Sequence, residues 1–399
     1  MEAKEIAQEQ CETEKLFYQD SHMQEFEAVV LACEERKDGF GIVLDRTVFF
    51  PEGGGQFGDT GWLNEVPVVD TKEKKGIIYH VTGIAMEVGT KVHGKLDFAK
   101  RFDRMQQHTG EHILSGIVHS LYGYDNVGFH LGEELTTLDF NGELTKEQVQ
   151  DVEMQANQAV FANLPIKILY PDKAALAELD YRSKIEIEGQ VRIVEIPGVD
   201  LCACCAPHVD TTGEIGLIKI LSCDRHRGGC RMVMVSGMRA LMDYQRKQQS
   251  VTEVSVALSA KPENIADAVQ RVKEQQMKLR ENLNRIQATY LKGKLDAVSS
   301  KDTTVLIFEE ELDTPAVRNF VNDVMGICDG ICGAFVGNDQ DGYHYIIGSN
   351  KKDVRVLARV LNEQFNGRGG GKPEMVQGSL IGDEVAIRAA IAATITENV

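Results

Sequence analysis

The 399-residue chain carries one stretch whose pattern predicts a single long helix. Residues 264–298 contain no proline and are rich in Gln, Lys, Glu and Arg. Their apolar residues are Ile265, Val269, Val272, Met277, Leu279, Leu283, Ile286, Tyr290 and Leu291. This pattern predicts an amphipathic helix, which is either a coiled-coil arm or a solvated helix packed on one neighbour.

The sequence on either side of this helix predicts an α+β multidomain protein, because 399 residues exceed one ordinary core. Short β-branched segments separated by Gly, Asp and Lys turns predict a small antiparallel barrel over 24–90. Helical periodicity marks 98–122, and Thr145 can cap another helix. We expect an N-terminal β-barrel domain (1–92), an α+β domain with a zinc site (93–245), a helical linker (246–300) and a C-terminal RNA-binding-type α/β domain (301–399).

Composition limits the class of protein. The hydrophobic content of 43% and charged content of 26% are globular values. We find neither an apolar run of membrane-spanning length nor a cleavable leader, and therefore expect a cytoplasmic protein without a membrane partner. Nine cysteines, an odd number, argue against a disulfide framework, and their concentration between 202 and 230 favours metal binding or catalysis.

The net charge of −18 argues against a nucleic-acid partner unless basic residues are concentrated locally. Two segments meet that condition. "NGRGGGKP" places Arg368 and Lys372 around Gly369, Gly370 and Gly371, as a basic loop whose backbone N–H groups could reach a phosphate. "SCDRHRGGCR" adds Arg225 and Arg227. A plain exposed loop is the alternative for "NGRGGGKP".

Two pairs of residues suggest a metal site. "QQHTGEH" places His108 and His112 on one face of a helix. "CACCAPH" repeats that spacing with Cys204 and His208, and zinc takes thiolate and neutral imidazole ligands. The alternative is that these are ordinary buried cysteines and hydrogen-bonded histidines.

Further candidates surround these pairs. Glu111 could be a general base, a carboxylate that orients a ligand, or simply exposed. Cys223, His226 and Cys230 form a second Cys/His set, although that segment suits a basic turn at least as well.

A second glycine-rich run, "FFPEGGGQFGDTG", lets backbone or substrate approach closely. It lacks a Walker lysine and a GxGxxG frame, so it is not a standard nucleotide loop. A plain glycine-rich hairpin turn is the alternative.

Together, "FFPEGGGQFGDTG", "RFDRMQQHTGEHIL", "CACCAPHVDTTGEIGLIKI" and "GRGGGKPEMVQGS" resemble the editing half of alanyl-tRNA synthetase and its free-standing AlaX-type relatives. The resemblance runs from about residue 15 to the end. It implies a barrel over 24–90, an editing domain over 98–240, a helical linker over 250–300 and the C-terminal domain shared with DHH-type phosphoesterases. No DHH triplet occurs, so phosphoesterase activity is not implied.

The resemblance implies a trans-acting editor, because the few tens of residues before the barrel cannot hold a class II aminoacylation domain. It would hydrolyse alanine tRNA mischarged with serine or glycine. The resemblance also implies one Zn²⁺ bound by His108, His112, Cys204 and His208. Gly54 and Gly55 would form a substrate loop, and Gln56 and His130 would lie on the substrate side of the site.

The chain departs from the family pattern at two positions. The synthetase motif C-G-G-T-H is "CCAPH" here, so Cys202 or Cys205 could compete for the metal. Glu111 stands where the synthetase usually has a small or hydroxyl residue.

Two rival functions remain: a zinc hydrolase acting on a small ester, and a non-catalytic tRNA-binding protein with a structural zinc. The long helix could pair two chains as a homodimer or fold back within one.

Overall fold

The computed structural model describes residues 13–37, 39–183 and 189–398. It divides into two compact units, Met1–Val251 and Thr252–Val399. The expected mixed α/β multidomain architecture is confirmed. The finer division into four domains stays a prediction. Among the described residues, none of the helices combines the length and apolar character needed to cross a membrane.

Six antiparallel strands in the first unit close into a barrel. In order around the barrel they are Glu25–Arg36, Gly39–Leu44, Ile77–Thr82, Val66–Lys74, Gly61–Leu63 and Lys91–Leu96. Exposed and buried residues alternate along the last of these strands, so Val92 and Leu96 face the interior. A short parallel pair, Glu14–Lys15 with Arg46–Thr47, lies beside the barrel.

The helix α1 (Phe98–Tyr122) follows the barrel directly. The Asp97 side chain caps its first turn by accepting from the Lys100 N–H, and Gly123 ends it in a left-handed conformation. The helix α2 (Lys146–Phe161) begins with a capping box between Thr145 and Gln148, as the sequence predicts.

A four-stranded antiparallel sheet packs against α1 and α2. Its strands, in spatial order, are Ile218–His226, Gly229–Ser236, Thr136–Phe140 and Asn126–Leu131. Ile113, Leu114, Leu138 and Met232 are fully buried in the core between them. A smaller sheet is formed by Lys167–Leu169, Ile193–Ile196 and Asp200–Ala203, and two further helices are α3 (Lys173–Glu178) and α4 (Gly237–Ala257).

The second unit contains α5 (Ile265–Leu295), which confirms the long helix predicted over 264–298. Coiled-coil pairing of this helix stays a prediction. A five-stranded sheet follows, in the spatial order Thr304–Glu309, Ile331–Asn338, Gly342–Gly348, Met375–Leu380 and Arg368–Lys372. One face packs on α6 (Thr314–Ile327), and the other on α7 (Arg355–Gln364) and α8 (Glu384–Asn398).

The basic glycine segment is not the loop that the sequence predicts. Arg368–Lys372 is an edge strand paired antiparallel with Met375–Leu380. A Cβ atom at Gly369 would overlap the Tyr345 hydroxyl oxygen, and one at Gly378 would lie 2.9 Å from the Tyr345 ring. These glycines therefore make room for a core tyrosine, which local sequence does not reveal.

Candidate metal centre

Four side chains from two distant segments meet in the first unit. His108 and His112 are one turn apart on α1, Cys204 follows the strand Asp200–Ala203, and His208 lies in the loop beyond it. One potential ligand atom from each residue lies within 4.8 Å of the other three. All three histidines are buried, with 2–3% of their surface exposed. The structure thus brings together the two half-sites that sequence spacing singles out.

Each histidine of this cluster is held by its Nδ1 atom. His108 Nδ1 lies 3.1 Å from Gln56 Oε1. His112 Nδ1 lies 2.9 Å from Asp200 Oδ2. His208 Nδ1 lies 3.0 Å from Thr109 Oγ1. The protein therefore occupies Nδ1 in every case and leaves the Nε2 atoms for the cluster.

The donor set has the chemistry and spacing of a tetrahedral metal site. Cys204 Sγ lies 3.5 Å from His108 Nε2 and 3.4 Å from His208 Nε2. Zinc bond lengths to sulfur and nitrogen place such atoms about 3.5 Å apart in a tetrahedron. The cluster could therefore hold a metal ion.

Electrostatics favour a thiolate at Cys204 and a neutral imidazole at His208, whereas His112 holds its proton. Burial lowers the pKa of His112, but the charge of Cys202 and the hydrogen bonds with Asp200 and Cys204 outweigh it and hold that pKa well above its usual value. Burial raises the pKa of Cys204, but the charge of His108 and hydrogen bonds from the histidines outweigh it and hold that pKa well below the usual range. Burial lowers the pKa of His208 to about 3. Thiolate and neutral imidazole are the protonation states in which these groups bind metals.

Asp200 links His112 to a cation. Its Oδ1 accepts from Arg182 Nε at 2.7 Å, while its Oδ2 faces His112 and accepts from Arg182 Nη2 at 2.9 Å. Burial raises the pKa of Asp200, but the hydrogen bonds from His112 and Arg182 outweigh it, and the net pKa is lowered. Asp200 is therefore an anion that orients a candidate ligand.

The cluster borders a cavity of about 660 Å³. The side chains and backbone that line it beside His108, His112 and Cys204 include Tyr18, Gly54, Gly55, Phe129, Tyr170 and Arg192. The predicted substrate loop thus lies at this cavity.

The glycine-rich run forms a tight turn. Gly53 and Gln56 exchange two backbone hydrogen bonds of 3.0 Å, with Gly54 and Gly55 at φ values of 61° and 80° between them. A Cβ atom at Gly55 would lie 2.6 Å from the Phe129 ring. The turn also places Gln56, which is 1% exposed, against His108.

Glu111 is buried, so the expectation of simple exposure is wrong. Its Oε1 atom accepts from Ser115 Oγ at 2.7 Å and from Asn126 Nδ2 at 2.6 Å. Its Oε2 atom lies 3.9 Å from His112 Nε2. The base and orienting roles both stay predictions.

Other candidate residues lie elsewhere. His130 is exposed, and its ring contacts Phe57 rather than lining the cavity. Arg225 and Arg227 lie at the hairpin between Ile218–His226 and Gly229–Ser236. Within the described parts of the chain, the Cys/His set of that hairpin forms no group with metal-ligand geometry. The residues Arg368–Lys372 belong to the second unit.

Sequence reasoning missed the residues that hold the cluster in place. These are Thr109, Arg182, Asp200 and the cavity residues Tyr18, Tyr170 and Arg192. Thr109 is adjacent to His108, but nothing in the spacing marks it. Asp200 is 88 positions from His112, so no local signal could have identified that pair.

Three family models match the chain. "Threonyl and Alanyl tRNA synthetase second additional domain" matches residues 191–233, which include Cys204 and His208. "tRNA synthetases class II (A)" matches residues 2–100, the segment of the barrel. "DHHA1 domain" matches residues 301–397, most of the second unit.

Curated relatives extend this similarity to almost the full length. Alanyl-tRNA editing protein AlaX-L of Pyrococcus horikoshii is 28% identical over 92% of this chain and 94% of its own length. Alanyl-tRNA editing protein Aarsd1 of Danio rerio is 25% identical over 90% and 92%. The predicted resemblance to the alanyl-tRNA editing proteins is confirmed. Alanine--tRNA ligase of Methanococcus vannielii is 31% identical over 94% of this chain, which spans only 43% of that ligase.

Proposed function

We propose that the chain is a trans-editing hydrolase that deacylates alanine tRNA mischarged with serine and, as a second substrate, with glycine. In this proposal His108, His112, Cys204 and His208 hold one Zn²⁺. The observation that carries it is the convergence of these four side chains at the edge of a cavity. The names of the editing-protein relatives, which match at nearly full length, support the substrate class.

The reaction is hydrolysis of an ester that joins an amino acid to the tRNA ribose. Water adds to the ester carbonyl, the bond to the ribose oxygen breaks, and that oxygen takes a proton. When bound, zinc supplies a Lewis acid that can polarise a water or hold a substrate group. The protein itself holds the candidate metal ligands in place. Gln56, Asp200 and Thr109 contact the Nδ1 atoms of the three histidines and so fix the orientation of the imidazole rings.

Selection explains why serine is the first substrate. A synthetase pocket for alanine cannot strongly reject glycine, because a missing methyl group is worth about 1–3 kcal/mol, and it also rejects an added hydroxyl poorly. An editing site can instead require a hydrogen bond to the serine hydroxyl, and would then spare alanine. Equal hydrolysis rates on seryl- and alanyl-tRNA would contradict this selectivity.

One observation favours a second function. Four protein ligands complete a tetrahedral zinc site, which is the arrangement of structural zinc. The chain would then be a non-catalytic tRNA-binding protein, and loss of a ligand would unfold it. A zinc hydrolase acting on a small ester would instead work without tRNA.

The deciding experiment is deacylation of serine-charged alanine tRNA by the purified protein and by His108→Ala. We expect the wild type to release serine and the variant to lose most activity while keeping the wild-type circular dichroism. His119→Ala is the matched control, because His119 is an exposed histidine on the same helix. A variant that unfolds supports the structural-zinc function, and an inactive wild type with zinc present argues against the enzyme.

The remaining parts of the proposal concern the binding partners of the protein and its cellular location. We propose that mischarged tRNA is the partner, with RNA contacts from Arg225, Arg227, Arg368 and Lys372 and the glycines between the last two. We further propose that α5 can pair two copies and that the protein acts in the cytoplasm.

A further inference from the structure

The cavity beside the metal centre has an unusual lining for an acidic protein. The chain contains 61 Asp and Glu residues and has a net charge of −18. Yet no carboxylate lines this cavity among the residues that the structure describes. A second cavity in the same unit, of about 580 Å³, is lined by Asp125, Asp180 and Asp200. The first cavity is therefore suited to a ligand that carries negative charge.

Aromatic rings and one guanidinium line the cavity near the thiolate. The Arg192 guanidinium carbon lies 5.3 Å from the centre of the Tyr18 ring. Arg192 Nη1 donates to the carbonyl of Cys204 at 2.7 Å and to that of Ala206 at 3.1 Å. Arg192 therefore ties Tyr18 to the loop that carries a candidate ligand.

One unpaired donor and one exposed ring lie at the cavity wall. The Arg192 Nε–H is buried and has no acceptor within the described ranges of the chain. Tyr170, which lines the same cavity, is 46% exposed. A large aromatic side chain that is half-exposed at a cavity wall offers a face for a planar ligand.

We propose that Tyr18 and Tyr170 form the subsite for the nucleobase of the terminal nucleoside of the charged tRNA, with Arg192 beside its phosphate. This inference rests on the proposed function. In a terminal nucleoside that carries an amino acid, the base and the aminoacyl ester are attached at different positions of the ribose. Stacking the base on tyrosine rings directs the ester towards the His/Cys cluster. These tyrosines are positioning residues for the ester.

The test is steady-state deacylation of seryl-tRNA by Tyr170→Ala and Tyr170→Phe. Loss of a base-stacking ring raises KM roughly 5- to 100-fold with kcat nearly unchanged, whereas phenylalanine keeps the ring and stays within about 2-fold of the wild type. Tyr18→Leu, which preserves the apolar contact with Phe17, should also raise KM. Tyr244→Ala is the matched control, because Tyr244 is 62% exposed and does not line the cavity.

A binding measurement separates this subsite from the proposed activity. Equilibrium dialysis of the zinc-loaded protein should show that adenosine 5′-monophosphate binds more tightly than ribose 5-phosphate. In Tyr170→Ala the two ligands should bind with equal affinity. An active wild type whose KM is unchanged by both tyrosine variants overturns the subsite and leaves the editing function standing. If the wild type binds the nucleotide in a Tyr170-dependent way but hydrolyses no aminoacyl-tRNA, the subsite is supported and the proposed editing function is contradicted.

Discussion

Buried histidines in this protein differ in how their two ring nitrogens are used. In the metal centre, one nitrogen of each ring contacts the protein and the other faces Cys204 or its neighbours. His80, inside the barrel, uses both nitrogens for the protein. Its Nε2 atom lies 2.7 Å from Thr47 Oγ1 and its Nδ1 atom 2.9 Å from the Ile42 carbonyl. His80 is therefore a fully satisfied core histidine, and the comparison separates structural from candidate ligand histidines.

His80 should make the stability of the first unit depend on pH. Burial lowers its pKa to about 4, whereas an unfolded histidine titrates near ~6.5. Its contribution is therefore complete above pH ~6.5 and is lost as pH falls towards 4, because the unfolded chain then binds the extra proton. We expect the loss to reach about 2–3 kcal/mol at pH ~4.5.

The measurement compares urea unfolding of the wild type and His80→Gln between neutral and acid pH. The variant should begin less stable and lose less stability on acidification. Parallel losses in the two proteins would show that His80 is not the titrating group.

The helix α1 is fastened at two points, which together set the position of His108. Near its start, the fully buried Arg101 donates from Nε to Asp59 Oδ2 at 2.9 Å and from Nη2 to the Val48 carbonyl at 2.7 Å. One turn and a half later, the Gln107 amide donates to the Ser236 carbonyl at 2.9 Å and accepts from the Ser236 N–H at 2.7 Å. The barrel and the four-stranded sheet thus both hold the helix that carries two candidate ligands.

Breaking the first of these attachments should be costly. Arg101→Met leaves Asp59 as a buried carboxylate that has lost its main cationic partner, and we expect a loss of about 3–5 kcal/mol in unfolding free energy. Adding Asp59→Asn should recover part of that loss, because no buried charge remains unpaired. A double-mutant cycle by urea denaturation measures this coupling, and simple additivity of the two variants would contradict it.

At the scale of the whole molecule, a chain with a net charge of −18 has to bind an anionic partner through local basic residues. In the second unit, Arg368 and Lys372 lie at the two ends of the edge strand, and their backbone positions pair with Ser379 and Met375. An edge strand holds its side chains at regular spacing, which a flexible loop would not.

We expect Arg368→Glu with Lys372→Glu to weaken tRNA binding at moderate salt. Removing a side chain that neutralises one phosphate should also reduce the slope of log affinity against log salt concentration by about 0.7–0.9. Filter binding across a salt series measures both effects. Lys301→Glu with Lys351→Glu is the matched control, because both lysines are exposed in the same unit and the charge change is equal. If the two double variants bind tRNA with equal affinity, the strand is not part of the RNA interface.

Much of the secondary structure and the candidate ligand set could be predicted from the sequence. The helix α1 spans the residues 98–122 that periodicity indicates, and α2 begins directly after Thr145, the residue expected to cap it. The spacing of His108 with His112, and of Cys204 with His208, also identified the four side chains that meet. These features are local, since helical periodicity, capping and one-turn spacing depend on residues within a few positions of each other.

Only the tertiary structure decided what surrounds those four side chains. The partners of His108, His112 and His208 are 52, 88 and 99 positions away in the chain. The burial of Glu111, the cavity with its two tyrosines, and the edge strand of Arg368–Lys372 likewise depend on packing between distant segments. Local sequence determines which residues can bind a metal, whereas long-range packing determines their protonation, their orientation and the shape of the space beside them.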